Sequence, residues 1–155
     1  MKKIIGIEAN PFISELPDFL QILLSVAPPL LVQGNLFIYS SGNLADEAAE
    51  MLHDAELLEE IHPLIKIAEG IPEADFFDYG FYADGASFIY IDQLSAFKIS
   101  GSDNKQIEMA LLQIDEHLTF KAAGEIFFTA KHYKELIMGI VRAYKVKVEF
   151  LDLDK

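Results

Sequence analysis

The chain contains no cysteine. A disulfide scaffold, a thiol nucleophile and a thiolate-bound zinc are therefore all excluded. Basic residues are also scarce: 12 lysines and arginines stand against 25 aspartates and glutamates, for a formal charge of −13. A surface dominated by carboxylates repels phosphate backbones and anionic lipid. Nucleic acid and membrane surfaces are thus disfavoured as partners, and a basic protein is favoured. Long apolar runs are missing too. The most apolar stretch, residues 19–32, holds Gln21, Pro28 and Pro29 and is too short to span a bilayer. The first twelve residues, MKKIIGIEANPF, lack the apolar core of a secretory leader, so the expected location is the cytoplasm.

What is present is strongly hydrophobic. The apolar share is 52% and the mean hydropathy +0.23, so a chain of 155 residues can bury a proper core. No repeat, low-complexity tract or linker divides it, and one domain spanning residues 1–155 is expected.

The stretch Gly124 to Leu153 reads as strand, helix and strand. Glu125–Phe128 is apolar and aromatic, and Thr129 stands at a helix N-cap position. Tyr133, Leu136, Ile137, Ile140, Val141 and Tyr144 share a helix face, and Val146, Val148 and Phe150 alternate with charged residues. The simplest arrangement is a parallel β-α-β unit. Upstream, Lys3–Glu8 reads as a strand. Ser14 caps a helix with Leu16, Phe19, Leu20, Leu23 and Ala27 inward, and Pro28-Pro29 ends it. Leu36–Tyr39 is a second strand, followed by a helix capped by Asn43. Further helical turns run from Asp54 through Leu57, Leu58 and Ile61 to a stop at Pro63. Leu64–Ala68 reads equally as a short strand or as the end of that helical region.

In the middle of the chain, Phe76 to Ile91 reads as a hairpin turned at Asp84-Gly85. Ala96–Ser100 adds a third antiparallel strand, and Ile107, Ala110, Leu111, Ile114 and Leu118 line a helix. The expected class is α+β: a mixed sheet with a central antiparallel hairpin or meander, about four packed helices and a C-terminal β-α-β unit.

Four places offer chemistry. The turn Ser40-Ser41-Gly42-Asn43 leads from strand to helix, where backbone N–H groups and hydroxyls hold anions. Asp46 and Glu47 in the first helical turn oppose that use, and no phosphate-loop motif is present. The run from Glu73 to Asp84 interleaves four carboxylates with five aromatics. On an alternating strand Phe77, Tyr79 and Phe81 share one face, while Asp78 and Tyr82 share the other. Asp75, Asp78, Tyr79, Tyr82 and Asp84 then make a docking surface for a basic, partly apolar partner, set against the plainer reading of a hairpin with solvated acids. The spacing of Asp75, Asp78 and Asp84 does not fit a calcium loop. Glu59-Glu60-Ile61-His62 has the Glu-x-x-His spacing of di-iron bundles, but no second copy exists and Pro63 follows directly. His62 is then an imidazole at a helix end, and His53, His117 and His132 are scattered. In Asp115-Glu116-His117 the acids adjoin an imidazole, yet neighbours on a helix do not face each other. No G-x-S-x-G elbow marks a nucleophile. No cofactor, metal or catalytic residue is expected.

Three functional readings follow. The leading one is a small acidic binding or regulatory protein, of the inhibitor or immunity type, that masks a basic surface. It uses Asp75, Asp78, Tyr79, Tyr82 and Asp84, with Asp46, Glu47 and Glu50 as a second acidic patch. The alternative is a small-ligand domain or enzyme with its pocket at Ser40, Ser41 and Asn43, with Thr129 alongside. The third is a self-associating subunit, a homodimer joined through an apolar face or the edge strand Val146–Leu153.

Overall fold

Strand β1 (Lys2–Ala9) buries residues on both of its faces, Ile4 on one and Ile7 and Ala9 on the other. That is the pattern of a strand covered on both faces. The computed structural model describes residues 1–40 and 42–153. The chain divides into two compact units, Met1–Lys66 and Ile67–Lys155.

In the first unit β1 leads through a 3-10 turn at Pro11–Glu15 into helix α1 (Pro17–Val26), then β2 (Leu31–Gln33), β3 (Leu36–Tyr39), α2 (Gly42–Asp54) and β4 (Leu58–Ile67). The strand order is β2-β3-β1-β4, and every one of these pairings is antiparallel. β3 and β4 both run against β1, so they run parallel to each other with β1 between them, and α2 crosses over it. Ile7, Ala9, Phe37 and Tyr39 face the helices and pack with Leu23, Ala45, Ala48 and Leu52. The Tyr39 hydroxyl donates to the Ala27 carbonyl at 2.8 Å, tying β3 to the end of α1 inside the core.

Several sequence expectations fail in this unit. Ser14 caps nothing; its hydroxyl donates to Pro11 O. Asn10 caps the 3-10 turn by accepting from Phe12 N, and α1 starts at Pro17 without a side-chain cap. More consequentially, Leu58 and Ile61 lie on a strand, with Pro63 inside it opposite Ile5. The helix before it closes at Glu56, whose φ is +59°. Glu56 N–H donates to His53 O and Leu57 N–H to Leu52 O, a left-handed termination that no helix continues through.

The second unit begins with β5 (Gly70–Pro72), a 3-10 turn at Phe76–Asp78, and the hairpin β6 (Gly80–Ala83) and β7 (Ala86–Tyr90). The hairpin turn is the expected Asp84-Gly85, with φ of +51° and +77°. Then come β8 (Leu94–Ser100), α3 (Asn104–Ile114), a 3-10 turn at Asp115–His117, β9 (Leu118–Ala122), β10 (Ile126–Ala130), α4 (Lys134–Ala143) and β11 (Lys147–Leu151). Five of these strands form one sheet in the order β11-β8-β10-β9-β5, again antiparallel throughout. β8 joins this sheet by pairing with β10 and β11, instead of extending the hairpin. Leu118, expected on the helix, opens β9. Thr129, expected as a cap, is fully buried within β10, and its hydroxyl donates to His117 O at 2.6 Å. The core gathers Phe97, Ala110, Ile114, Leu118, Ile137, Ile140 and Val141.

Residues 94–151 run β-α-β-β-α-β, with the first strand inserted between the third and the fourth. That is the split β-α-β, ferredoxin-like arrangement. Residues 2–67 run the same way in the same strand order. The expected C-terminal β-α-β unit is therefore present in split form, and the chain holds two examples of one topology that its sequence does not advertise. The likeness extends to local detail. α4 ends as α2 does, with Lys145 at φ +56°, Lys145 N–H on Arg142 O and Val146 N–H on Val141 O. Leu57 and Val146, the residues just past these closures, are both buried. The α+β class and, among the described residues, four α-helices are as expected; in place of one mixed sheet there are two antiparallel sheets. Among the described residues no helix is long and apolar enough to cross a membrane.

Burial pushes the Tyr39 phenol up from 10.0 to about 12. The fold favours its neutral form, so that contribution is whole below pH 10 and is lost as pH rises towards 12. A tyrosinate absorbance titration is expected to show a late-ionising group near pH 12 that is absent from Tyr39→Phe, with stability falling across the same window. Lys145→Gly removes a side chain from a left-handed position and is expected to stabilise by about 1 kcal/mol in urea unfolding.

Candidate functional site

Strand β5 lies against β9 with Gly70 opposite Ala122 and Pro72 opposite Phe120. The approach is close: a Cβ on Gly70 would stand 2.3 Å from the Phe120 ring and 2.7 Å from Lys121 O. Beyond Pro72, Glu73 N–H donates to Thr119 O at 3.0 Å and continues the ladder. The chain then tightens into the 3-10 turn, with Phe76 N–H on Glu73 O and Asp78 N–H on Asp75 O. Phe76 is the anchor. It is 1% exposed and meets Phe120 edge to face at 5.5 Å.

This turn overturns the alternation read from the sequence. Phe76 is buried and Phe77, expected in the core, is 75% exposed. A 3-10 turn advances about 120° per residue, so strand parity does not apply before Gly80. Asp75 is thereby set beside Thr119, whose hydroxyl donates to Asp75 Oδ2 at 3.4 Å. Its other oxygen, Oδ1, is buried, and among the described residues it is the buried side-chain polar atom left without a hydrogen-bond partner.

Asp75 lines a cleft of about 350 Å³ together with Glu73, Ala74, Asp115, Glu116, His117, Leu118 and Tyr133. The far wall comes from the 3-10 turn that ends α3. Its His117 carbonyl is held by Thr129, and the imidazole lies 5.0 Å from the Tyr133 ring. Asp115-Glu116-His117, which helical geometry would splay apart, reaches one cleft because the helix stops at Ile114. Lys121, outside the cleft's lining, supplies counter-charge to two of its acids. Lys121 Nζ pairs with Asp115 Oδ1 and, at 3.3 Å, with Glu73 Oε1. The Asp115 hydrogen bond raises the Lys121 ammonium above the usual lysine value, partial burial opposes this, and Glu73 adds to the rise. Of the four lining carboxylates Lys121 pairs with two, and among the described residues Asp75 and Glu116 pair with no lysine or arginine. The arrangement suits a cation, with carboxylate oxygens as acceptors and two aromatic rings for a cation to lie against.

Of the expected docking residues, only Asp75 lines this cleft. Asp78 is exposed at the end of the 3-10 turn and Tyr79 is half-buried, its carbonyl accepting from Tyr90 N–H. Tyr82 is 61% exposed on β6, and Asp84 occupies the hairpin tip. Of the alternative ligand site, Ser40 and Asn43 are exposed, Asn43 as the second residue of α2 instead of its cap; Ser41 lies outside the described residues. Glu73, Asp115, Glu116, His117, Lys121 and Tyr133 belong to the site without having been assigned to it. The sequence signals among them were Glu73, at the head of the acidic-aromatic run, and the Asp115-Glu116-His117 triplet. No model of a known protein family matches the chain, and no curated protein does.

A buried carboxylate oxygen with no partner costs stability. Asp75→Asn keeps an acceptor for Thr119 and removes the charge. It is expected to raise the melting temperature by about 2–4 °C, some 1 kcal/mol, as read by calorimetry at neutral pH.

Proposed function

We propose that the protein is a binding module that masks a basic partner, receiving a lysine or arginine side chain of that partner in the cleft at Asp75. The observation that carries this is the unpartnered Asp75 Oδ1 in a cleft lined by four carboxylates, of which Lys121 pairs with two. Burying a charged oxygen without a hydrogen bond is costly in the free protein. A cationic donor in the complex recovers that cost, so the strain of the free state becomes affinity in the bound one. Phe77, two residues from Asp75 and 75% exposed, supplies apolar area for the partner to cover. Asp78 flanks it on the same turn, and Tyr79, Tyr82 and Asp84 carry the acidic and aromatic surface on along the hairpin. The formal charge of −13 steers a basic partner from a distance, and the cleft provides the specific contact.

A ¹⁵N-labelled sample titrated with a short arginine- and lysine-rich peptide distinguishes the cleft from a diffuse acidic surface. Shift changes are expected at residues 73–77, 115–118 and 133, weakening as salt rises. Asp75→Asn removes one of 25 acidic residues, so non-specific attraction would barely change. Specific docking is expected to lose about fivefold or more in affinity, on the order of 1 kcal/mol. Shifts spread over the whole surface, or a variant that binds as the parent does, would sink the proposal.

A further inference from the structure

β1 and β4 place two carboxylates face to face: Glu8 pairs directly with Glu60 across the antiparallel ladder. Like charges in that position repel. Two residues along β4, on the same face, stands His62, and the residue opposite it is Gly6. From there the imidazole reaches both carboxylates. His62 Nε2 lies 2.8 Å from Glu8 Oε1 and 3.7 Å from Glu60 Oε2. One donor atom from each residue lies within 4.8 Å of the other two. Glu59 is on the opposite face, its Oε1 accepting from Asn10 Nδ2 at 2.7 Å, and takes no part.

We propose that Glu8, Glu60 and His62 form a zinc-binding site. A tetrahedral ion with ligands at about 2.0–2.2 Å sets them roughly 3.4 Å apart, and the two observed separations from Nε2 bracket that spacing. The donor set is one imidazole nitrogen and two carboxylate oxygens. An imidazole selects zinc-like ions over calcium and magnesium, which prefer oxygen alone. The charge also matches. A protonated His62 offers one positive charge to two carboxylates, whereas a divalent ion answers both and relieves the Glu8–Glu60 repulsion. His62 is the sheltered ligand, with 12% of its side chain exposed, against 37% for Glu8 and 62% for Glu60. The ion would sit at the rim of the sheet with water completing its coordination. This site belongs to the first unit and is independent of the cleft at Asp75.

Isothermal titration of the full chain with zinc chloride is the test, alongside visible absorption of the cobalt-substituted protein. One ion per chain is expected, with tetrahedral cobalt bands. Glu60→Gln, an exposed and nearly isosteric change, and His62→Ala should each weaken zinc about tenfold or more and remove the cobalt bands. Glu116→Gln, in the acidic cleft, should leave zinc affinity unchanged. The proposal is overturned if the parent takes up no zinc, or if Glu60→Gln binds it as tightly as the parent.

Discussion

Each half of this protein depends on one strand inserted between two others that a crossover helix joins. β1 is held between β3 and β4, and β8 between β10 and β11. Such a strand has no free edge. In both cases it is also buried on both faces, at Ile4 and Ile7 in β1 and at Ala96 and Phe97 in β8. Once it is inserted, α2 and α4 must cross over it to join the strands on its two sides. The antiparallel pattern and the helix layer both follow from that insertion. The left-handed closures at Glu56 and Lys145 reverse the chain tightly enough for the next strand to begin within a few residues, so the crossover stays short.

The cleft at Asp75 is a consequence of packing at the other edge of the second sheet. Gly70 permits the close contact of β5 with β9, and Phe76 is driven into the core against Phe120. Between these two fixed points the chain has no freedom to turn the Asp75 carboxylate out to water. Hydrophobic burial of a phenylalanine ring, worth about 2–3 kcal/mol, exceeds the cost of one imperfectly paired carboxylate oxygen, so the strained group is tolerated. Lys121 limits the accumulated repulsion by holding Glu73 and Asp115. What remains is an acidic recess with a sheltered acceptor, built from segments more than forty residues apart.

Much of the fold was legible in local pattern. The alternation around Val146–Phe150, the helical spacing from Tyr133 to Tyr144, the β-branched run at the start and the Asp84-Gly85 turn all lie where their periodicity places them. Failures cluster where local signals compete. Leu57, Leu58 and Ile61 have helical spacing and a proline behind them, yet the closure at Glu56 hands them to a strand. Phe77 was assigned to the core by strand parity, but a single 3-10 turn exchanged it with Phe76. β9 went unseen because Leu118 completed a helical stripe. Of the candidate residues Asp75 was found through the density of acids and aromatics around it, whereas Glu116, His117 and Tyr133 carry no joint signal in sequence.

The sequence by itself determined the class, the acidic surface, the four helices and most strands, because those depend on periodicity and composition within a window of ten or so residues. Strand order was beyond it. Which strand enters between which others depends on complementary faces far apart in the chain, and so does the recurrence of one topology in two stretches with dissimilar residues. Only the tertiary structure decided that Glu8 faces Glu60 and His62, and that Asp75 shares a recess with His117. The first outcome is set by register between strands, where a shift of one residue sends every side chain to the opposite face; the second is set by the 3-10 turns at Phe76–Asp78 and Asp115–His117, which bring distant segments to one cleft.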